Sequence, residues 1–258
     1  MKIATYNIWN EKSNIAVRTE QLIQEIIRID ADIIGLQEVL PDFWEELIKL
    51  VDYKYHAYRL VPPANDGYGL AFLSKYPLTS TFFLHDSAEF QNSFALNVTF
   101  SADGSNFSAT NVHLPWDSVL AREKQIIAIT NYINSQREEL NFSILLGDFN
   151  CSDNSSVHRF LIREQSLSGC EAIWDDIASE HAKINGYDVA PTLDFATNPR
   201  WKYEAPYPGW VVDRILINGE YGDYKISNVS LFGTDISPET GLAPSDHYGV
   251  LANIDFTE

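Results

Sequence analysis

Asp246 and His247 stand side by side at the opening of an alternating run, Tyr248, Val250, Ala252 and Ile254. Such alternation marks a half-buried strand, so the pair sits at a strand mouth, where loops gather reactive side chains. The same placement recurs along the chain. Asn7 lies near the exit of the apolar run 3–8, and Glu38 closes the run 32–38. His113 ends the run 107–113, Asp148 and Asn150 follow the run 142–146, and Asp213 lies inside the run 211–217. Taken singly, each has an ordinary structural use: Asn7 caps a turn, Glu38 caps the next helix, and Asp148 before Asn150 builds an Asx turn. Taken together, with no lysine or arginine among them, they fit the site of a hydrolase that uses a divalent cation.

The residue types match what cleavage of a phosphodiester requires. A hard cation such as Mg²⁺ or Mn²⁺ takes oxygen ligands, which Glu38 and the amide oxygen of Asn7 offer, with Asp246 as a third, direct or through water. A cation so held polarises a phosphoryl oxygen. Water must lose a proton, and His247 is the suitable base. Asp213 is expected to hold the His247 ring in its working tautomer. Asp148 is expected to orient the attacking water or serve the leaving oxygen, while Asn150 and His113 donate hydrogen bonds to the phosphoryl oxygens.

Several elements must position these residues. Helical spacing predicts a helix over 16–29, with Leu22, Ile23, Ile26 and Ile27 inward and Arg18, Glu20, Gln24, Glu25 and Arg28 outside. A second helix is expected after Pro41 and Asp42, burying Phe43, Trp44, Leu47, Ile48 and Val51. Further helices are expected over 118–134, with Leu120, Ile126, Ile127, Ile129 and Ile133 as its apolar residues, over 155–163 and, more weakly, over 173–179. Strands are read at 67–74, 94–100, 224–231 and 248–254 besides those above, and Ala102-Asp103-Gly104-Ser105 is a hairpin signal. Residues 191–210 are irregular and rich in aromatic residues and proline, either a functional loop or one packed on its own rings. Strands alternating with helices, together with direct hairpins, predict an α/β sandwich with mixed sheets.

Composition narrows the function. The 258 residues hold 36 acidic and 18 basic side chains, a formal charge of -18. That balance lacks the basic footprint of a tight binder of long duplexes and suits carboxylates gathered around a cation. No low-complexity tract divides the chain, so residues 1–258 are read as one domain. Two cysteines, Cys151 and Cys170, exclude a disulfide framework and show no zinc spacing. With no leader pattern and no stretch of membrane-spanning length, the expectation is a cytoplasmic protein without integral membrane association.

The ordered set Thr5-Tyr6-Asn7, Leu36-Gln37-Glu38-Val39, residues 69–74, Asn111-Val112-His113-Leu114, Gly147-Asp148-Phe149-Asn150, Val212-Asp213-Arg214-Ile215 and Ser245-Asp246-His247 resembles the endonuclease/exonuclease/phosphatase superfamily across almost the whole chain. The resemblance implies a deoxyribonuclease I-like, four-layer sandwich, two mixed central sheets flanked by helices. It also implies dependence on Mg²⁺ or Mn²⁺ and a phosphodiester substrate, such as a nucleic-acid end or a small phosphodiester. Lipid or inositol phosphohydrolases and a catalytically silent binding module are the alternative functions. Gln37-Glu38-Val39-Leu40-Pro41 and Ser245-Asp246-His247-Tyr248-Gly249 are similar to the tyrosyl-DNA phosphodiesterase 2 branch, which usually carries threonine where Phe149 stands. Arg122 and Gln125 match a family Arg-x-x-Gln pattern, either a phosphate contact or a plain helix face.

Overall fold

The computed structural model describes residues 1–13, 15–61, 67–84, 95–136, 140–204, 207–219 and 223–256. Its strands form two sheets. The first joins β1 (Lys2–Asn7), β2 (Ile33–Val39), β3 (Tyr55–Leu60), β4 (Gly69–Ser74), β11 (Tyr224–Phe232) and β12 (Gly249–Phe256) in the order β11-β12-β1-β2-β4-β3. The second joins β5 (Leu78–Leu84), β6 (Ala95–Ala102), β7 (Ser105–His113), β8 (Phe142–Asp148), β9 (Asp175–Asp176) and β10 (Asp213–Asn218) in the order β5-β6-β7-β8-β10-β9. Both are mixed: β1 runs parallel to β2 and β7 parallel to β8, while the other neighbours are antiparallel.

Each parallel pair needs a crossover, and helices supply it. α1 (Ile15–Ile29) links β1 to β2, and α3 (Val119–Ser135) links β7 to β8. The inner faces of the sheets share one apolar core, with Ile3, Ile33, Phe72 and Val250 against Val98, Phe107, Ile144 and Ile215. The outer face of the first sheet is covered by α1 and α2 (Pro41–Leu50), through Leu22, Ile26, Phe43 and Leu47. The outer face of the second is covered by α3 and α4 (Ser156–Leu161), through Ile126, Ile129, Val157 and Phe160. The result is the expected four-layer α/β sandwich. No described helix is long and apolar enough to cross a membrane.

The hairpin signal is borne out: β6 and β7 are joined through Asp103 and Gly104, both at positive φ (48° and 84°), as a two-residue primed turn demands. Other expectations need correction. Residues 173–179 do not form one helix: they hold the short strand β9 and the start of α5 (Ile177–Asn185), because the Asp176 side chain accepts from Ser179 N–H and caps the helix there. Strands β3 and β5 carry too many outward side chains to show as apolar runs. In α1, Ile27 is 45% exposed, whereas Arg18 and Glu25, expected outside, are buried. Polar partners hold both inward: Arg18 donates to backbone carbonyls, and Glu25 accepts from the N–H of Gly233 at 2.8 Å. Leu120 at the start of α3 is likewise exposed rather than inward. Phe94, expected to begin a strand, lies outside the described residues.

A polar bolt crosses the buried interior between the sheets. Gln37 of β2 donates through Nε2 to Asn111 Oδ1 of β7 at 2.6 Å, and also to Thr5 Oγ1 at 3.0 Å. Asn111 Nδ2 in turn donates to the carbonyls of Leu36 (2.9 Å) and Ala71 (3.0 Å). Gly35 leaves room for this contact, since a Cβ there would stand 2.1 Å from Leu146 Cδ1 and 3.2 Å from Asn111 Cγ. Asn111→Ala strands buried partners on β2 and β4 of the first sheet, Gln37 and the Leu36 and Ala71 carbonyls, at roughly 1–3 kcal/mol each. Urea unfolding is expected to show a loss of about 3 kcal/mol or more for this variant.

Candidate functional site

The strand registers bring the predicted residues to one end of the sandwich. In the second sheet, His113 pairs with Asp148 and Asp148 with Asp213, so three strand ends present these side chains in one row. In the first sheet, Asn7 and Glu38 leave the parallel strands β1 and β2 side by side. Asp246 and His247 lie just before β12, which is antiparallel to β1 and therefore starts at the same end.

Local backbone geometry aims these side chains. The register between β2 and β4 slips between Leu36 and Val39, a bulge in which Glu38 takes φ 59°. Trp9 (φ 59°) and Asn150 (φ 48°) are also left-handed. Backbone strain in non-glycine residues is sustained only where surrounding contacts fix it. Here Asn7 Oδ1 accepts from Trp9 N–H, Glu38 Oε2 from Asn10 N–H, and Asp148 Oδ1 from Asn150 N–H. Gly147 (φ 135°) lets β8 run close against β7, because a Cβ there would lie 2.0 Å from the Val112 carbonyl oxygen.

The charged atoms converge. His247 Nδ1 lies 2.9 Å from Asp213 Oδ2, and its Nε2 lies 4.0 Å from Asp148 Oδ2. His113 Nε2 stands 3.6 Å from Asp148 Oδ2 and 3.7 Å from Glu38 Oε1. Asn7 Nδ2 donates to Glu38 Oε1 and to Asp148 Oδ2, both at 3.0 Å. The structure thus joins Asn7, Glu38, His113, Asp148, Asp213 and His247 in one chain of contacts. Asp246 and Asn150 flank it through Ser245 and Leu114: Ser245 Oγ donates to the Asn7 carbonyl at 2.8 Å and lies 3.3 Å from Asp246 Oδ1, while Asn150 Nδ2 donates to the Leu114 carbonyl at 2.8 Å.

Proton affinities follow from this crowding. Burial and the Asp213 charge push the Asp148 carboxyl up. Burial pushes Asp246 up as well, to about 6, and the Glu38 charge adds to it. For Glu38, burial acts upward but is outweighed by His113, the Asn10 N–H and the Asn7 amide, which hold it low. Burial alone lowers His247, yet Asp213, Asp246 and Asp148 raise it well above the ordinary imidazole range.

Two groupings offer metal ligands. Asp148, Asp213 and His247 place ligand atoms within 4.8 Å of one another. Glu38 and Asp246, the carboxylates expected from the sequence, lie near enough that the Glu38 charge adds to the burial that lifts Asp246, and a hard cation held there would relieve both. Asn7 differs from expectation in detail. Its amide nitrogen faces the carboxylates and its oxygen accepts from Trp9, so ligation through that oxygen requires the amide to turn over and release Trp9.

Sequence reasoning missed the groups that hold this frame. Thr192 Oγ1 accepts from both Val212 N–H and Asp213 N–H at 3.1 Å, fixing the entry to β10. Asn198 Nδ2 donates to the Ser245 carbonyl at 3.0 Å and Trp201 Nε1 to the Asp246 carbonyl at 2.9 Å, so the 191–210 segment braces the loop carrying Asp246 and His247. Its rings also pack on one another, with Phe195 between Trp201, Tyr207 and Trp210. Arg122, which the sequence did single out, as a phosphate contact or a plain helix face, donates to the Pro115 (2.7 Å) and Trp116 (2.9 Å) carbonyls and so secures the loop after His113. Long-range partners of this kind leave no periodic trace in a sequence.

The family model for the Endonuclease/Exonuclease/phosphatase family matches residues 4–247, and the chain belongs to that family. Among solved structures, TDP2 of D. rerio complexed with single strand DNA product superposes with a TM-score of 0.80 at 18% identity, covering 99% of this chain and 98% of that one. A functionally unknown conserved protein from Enterococcus faecalis V583 gives 0.75 at 21%, covering 99% and 100%. An endonuclease/exonuclease/phosphatase family protein from Bacteroides thetaiotaomicron gives 0.76 at 15%, covering 98% and 94%. No curated protein matched the chain.

Behind the site, Arg214 follows Asp213 in β10 and is buried. Its Nη1 donates to Asp176 Oδ2 at 2.6 Å, and its Nη2 to Asp153 Oδ1 at 2.5 Å. His158 Nε2 lies 3.0 Å from the same Asp176 oxygen. Burial pushes Asp176 up, but Arg214 and His158 outweigh it and hold the carboxyl well below the usual range. A depressed carboxylate contributes stability above its unfolded pKa, about 3.9, and loses that contribution as pH falls toward the folded value. Asp176→Asn is expected to cost about 3 kcal/mol at pH 7, and the gap from the parent is expected to narrow below about pH 4 in equilibrium unfolding.

Proposed function

We propose that the protein is a phosphodiesterase dependent on Mg²⁺ or Mn²⁺, cleaving a P–O bond by attack of water activated by His247. The observation that carries this reading is the His247–Asp213 contact at 2.9 Å, with the other ring nitrogen turned toward Asp148 at 4.0 Å. Nδ1 is thereby committed to a buried carboxylate, and Nε2 is the nitrogen left to take the proton from water. Asp213 then stabilises the imidazolium that forms.

Glu38 and Asp246 would hold the cation, with Asn7 joining if its amide turns. The bound cation supplies Lewis-acid stabilisation of the phosphoryl oxygen and a positive charge that lowers the proton affinity of His247 and Asp246. Asp148, fixed by Asn7 and by the Asn150 N–H, accepts a hydrogen bond from the attacking water and sets its line of approach. His113 presents Nε2 to the same space, and Asn150 keeps one amide hydrogen beyond its bond to Leu114. These donors face the oxygens on which charge grows as phosphorus becomes five-coordinate.

A nucleic-acid end or a small phosphodiester is the substrate class this reading favours. The similarity to a TDP2 structure holding a single-strand DNA product supports it, as do the exposed rings of Tyr203, Tyr207 and Trp210, in the segment whose Asn198 and Trp201 brace the Asp246–His247 loop. Bases stack on such edges at ~1–3 kcal/mol each. A silent binding module would be expected to lose the metal and base positions, which are all present.

With an aryl phosphodiester and Mg²⁺, His247→Ala is expected to lower kcat by ~10²–10⁴-fold, and Glu38→Gln to raise the Mg²⁺ concentration needed for half-maximal rate. Parent-like rates in both variants would end the assignment. Independently of turnover, Mg²⁺ is expected to raise the thermal unfolding midpoint of the parent, and Glu38→Gln to blunt that rise.

A further inference from the structure

Trp9, two residues beyond Asn7, has the guanidinium carbons of both Arg18 and Arg200 at 4.8 Å from its ring centroid. The two arginines are spent differently. Arg18 is fully buried and committed to backbone carbonyls: Ile8 at 2.8 Å, Trp9 at 2.6 Å, Pro244 at 2.9 Å, and Glu11. It ties the loop after Asn7 to the segment leading into Asp246 and fixes the indole in place. Arg200 is only partly buried and commits Nε alone, donating to the Ala243 carbonyl at 2.7 Å. Among the described residues, none accepts a hydrogen bond from its terminal nitrogens, and no carboxylate comes within ion-pair distance of it.

Such a group is unusual in a chain of net charge -18. Glu11 and Asp246 are near enough to be felt electrostatically, yet neither pairs with it. Its neighbours hold it at the edge of the site: Asn198 and Trp201, on either side, are bonded to the Ser245 and Asp246 carbonyls. Stacking and the Nε bond fix the plane of the guanidinium, leaving its fork as a preorganised receptor for a phosphate or carboxylate. A cation–π contact keeps the charge in place without neutralising it.

We propose that Arg200, held against Trp9, binds a second phosphate of the substrate, so that diesters carrying a further phosphate beside the scissile one are preferred. The proposal rests on the phosphodiesterase reading for its substrate class, but the subsite is testable without turnover. A charge-assisted contact of this kind corresponds to about tenfold in affinity.

The test pairs thymidine 5′-(p-nitrophenyl phosphate) with its 3′-phosphorylated form, which share one scissile bond. In the parent, kcat/KM is expected to favour the 3′-phosphorylated ester about tenfold. In Arg200→Gln that ratio falls toward one, and Arg200→Lys keeps part of it; any loss common to both esters divides out. Calorimetric binding of thymidine 3′,5′-bisphosphate against thymidine 5′-monophosphate, with Mg²⁺ present, is expected to show the same preference and the same dependence on Arg200. Equal binding of the two nucleotides by the parent overturns the subsite, and so does a preference undiminished in Arg200→Gln. A preference in binding that Arg200→Gln removes, with neither ester hydrolysed, would instead uphold the subsite and overturn the hydrolytic reading.

Discussion

The contact between Gln37 and Asn111 is the constraint on which the site depends. The sheets face each other through an apolar core, and apolar contact alone sets no register between them. A bond of 2.6 Å between β2 and β7, continued to the carbonyls of Leu36 and Ala71, does set one. A slip along either strand would leave buried donors and acceptors unmade at once, a penalty of several kcal/mol. Glu38 follows Gln37 directly, and His113 lies two residues beyond Asn111. The bolt therefore fixes the separation of Glu38 from His113, which stand 3.7 Å apart although they belong to different sheets.

Beyond the bolt, the site is held by local strain rather than by regular pairing. Trp9, Glu38 and Asn150 take left-handed backbone conformations within a few residues of strand ends. Each is locked by a carboxylate or amide oxygen that accepts a backbone N–H nearby. The side chains assigned to the proposed chemistry thus also hold the backbone that presents them. Removing the Glu38 or Asp148 carboxylate would be expected to perturb geometry as well as charge, which makes Glu38→Gln, still able to accept from Asn10, a cleaner probe than alanine.

Much of this was legible in the chain. Apolar runs ending in Asn7, Glu38, His113 and Asp148 located the strand ends, because a strand covered on both faces reads as a nearly unbroken apolar stretch and its exit is polar. Asp103-Gly104 located the hairpin, since only a short list of residues accepts positive φ at both positions. What remained hidden was long-range and polar. Arg18 sits in an amphipathic helix where a charge reads as solvent-facing, yet it is buried because four backbone carbonyls from two distant loops meet its guanidinium. Glu25 was misread for the same reason. Ile27 shows the converse: it is apolar at a core spacing, but Arg18 and Glu25 turn the buried face of α1 away from it.

The acidic composition has a specific consequence at the site. Glu38, Asp148, Asp213 and Asp246 crowd a small volume, and among the described residues the groups set directly against them are the amide of Asn7, backbone N–H groups, the Ser245 hydroxyl and two imidazoles. Those partners offset only part of the charge: burial, with neighbouring carboxylates, still raises the proton affinities of Asp148 and Asp246, and the carboxylates raise that of His247. A phosphodiester is itself an anion and would be repelled by this cluster at close range. Two sources of positive charge can reverse that repulsion: a cation among the carboxylates, and the arginines around Trp9. In the proposed reaction the first would act at the bond that breaks. The second lies at the edge, where it cannot stabilise the transition state directly but can bias which anions remain long enough to react. On the proposed reading, division of the work in this way would let a strongly acidic protein select a polyanionic substrate without the broad basic surface that tight duplex binding requires.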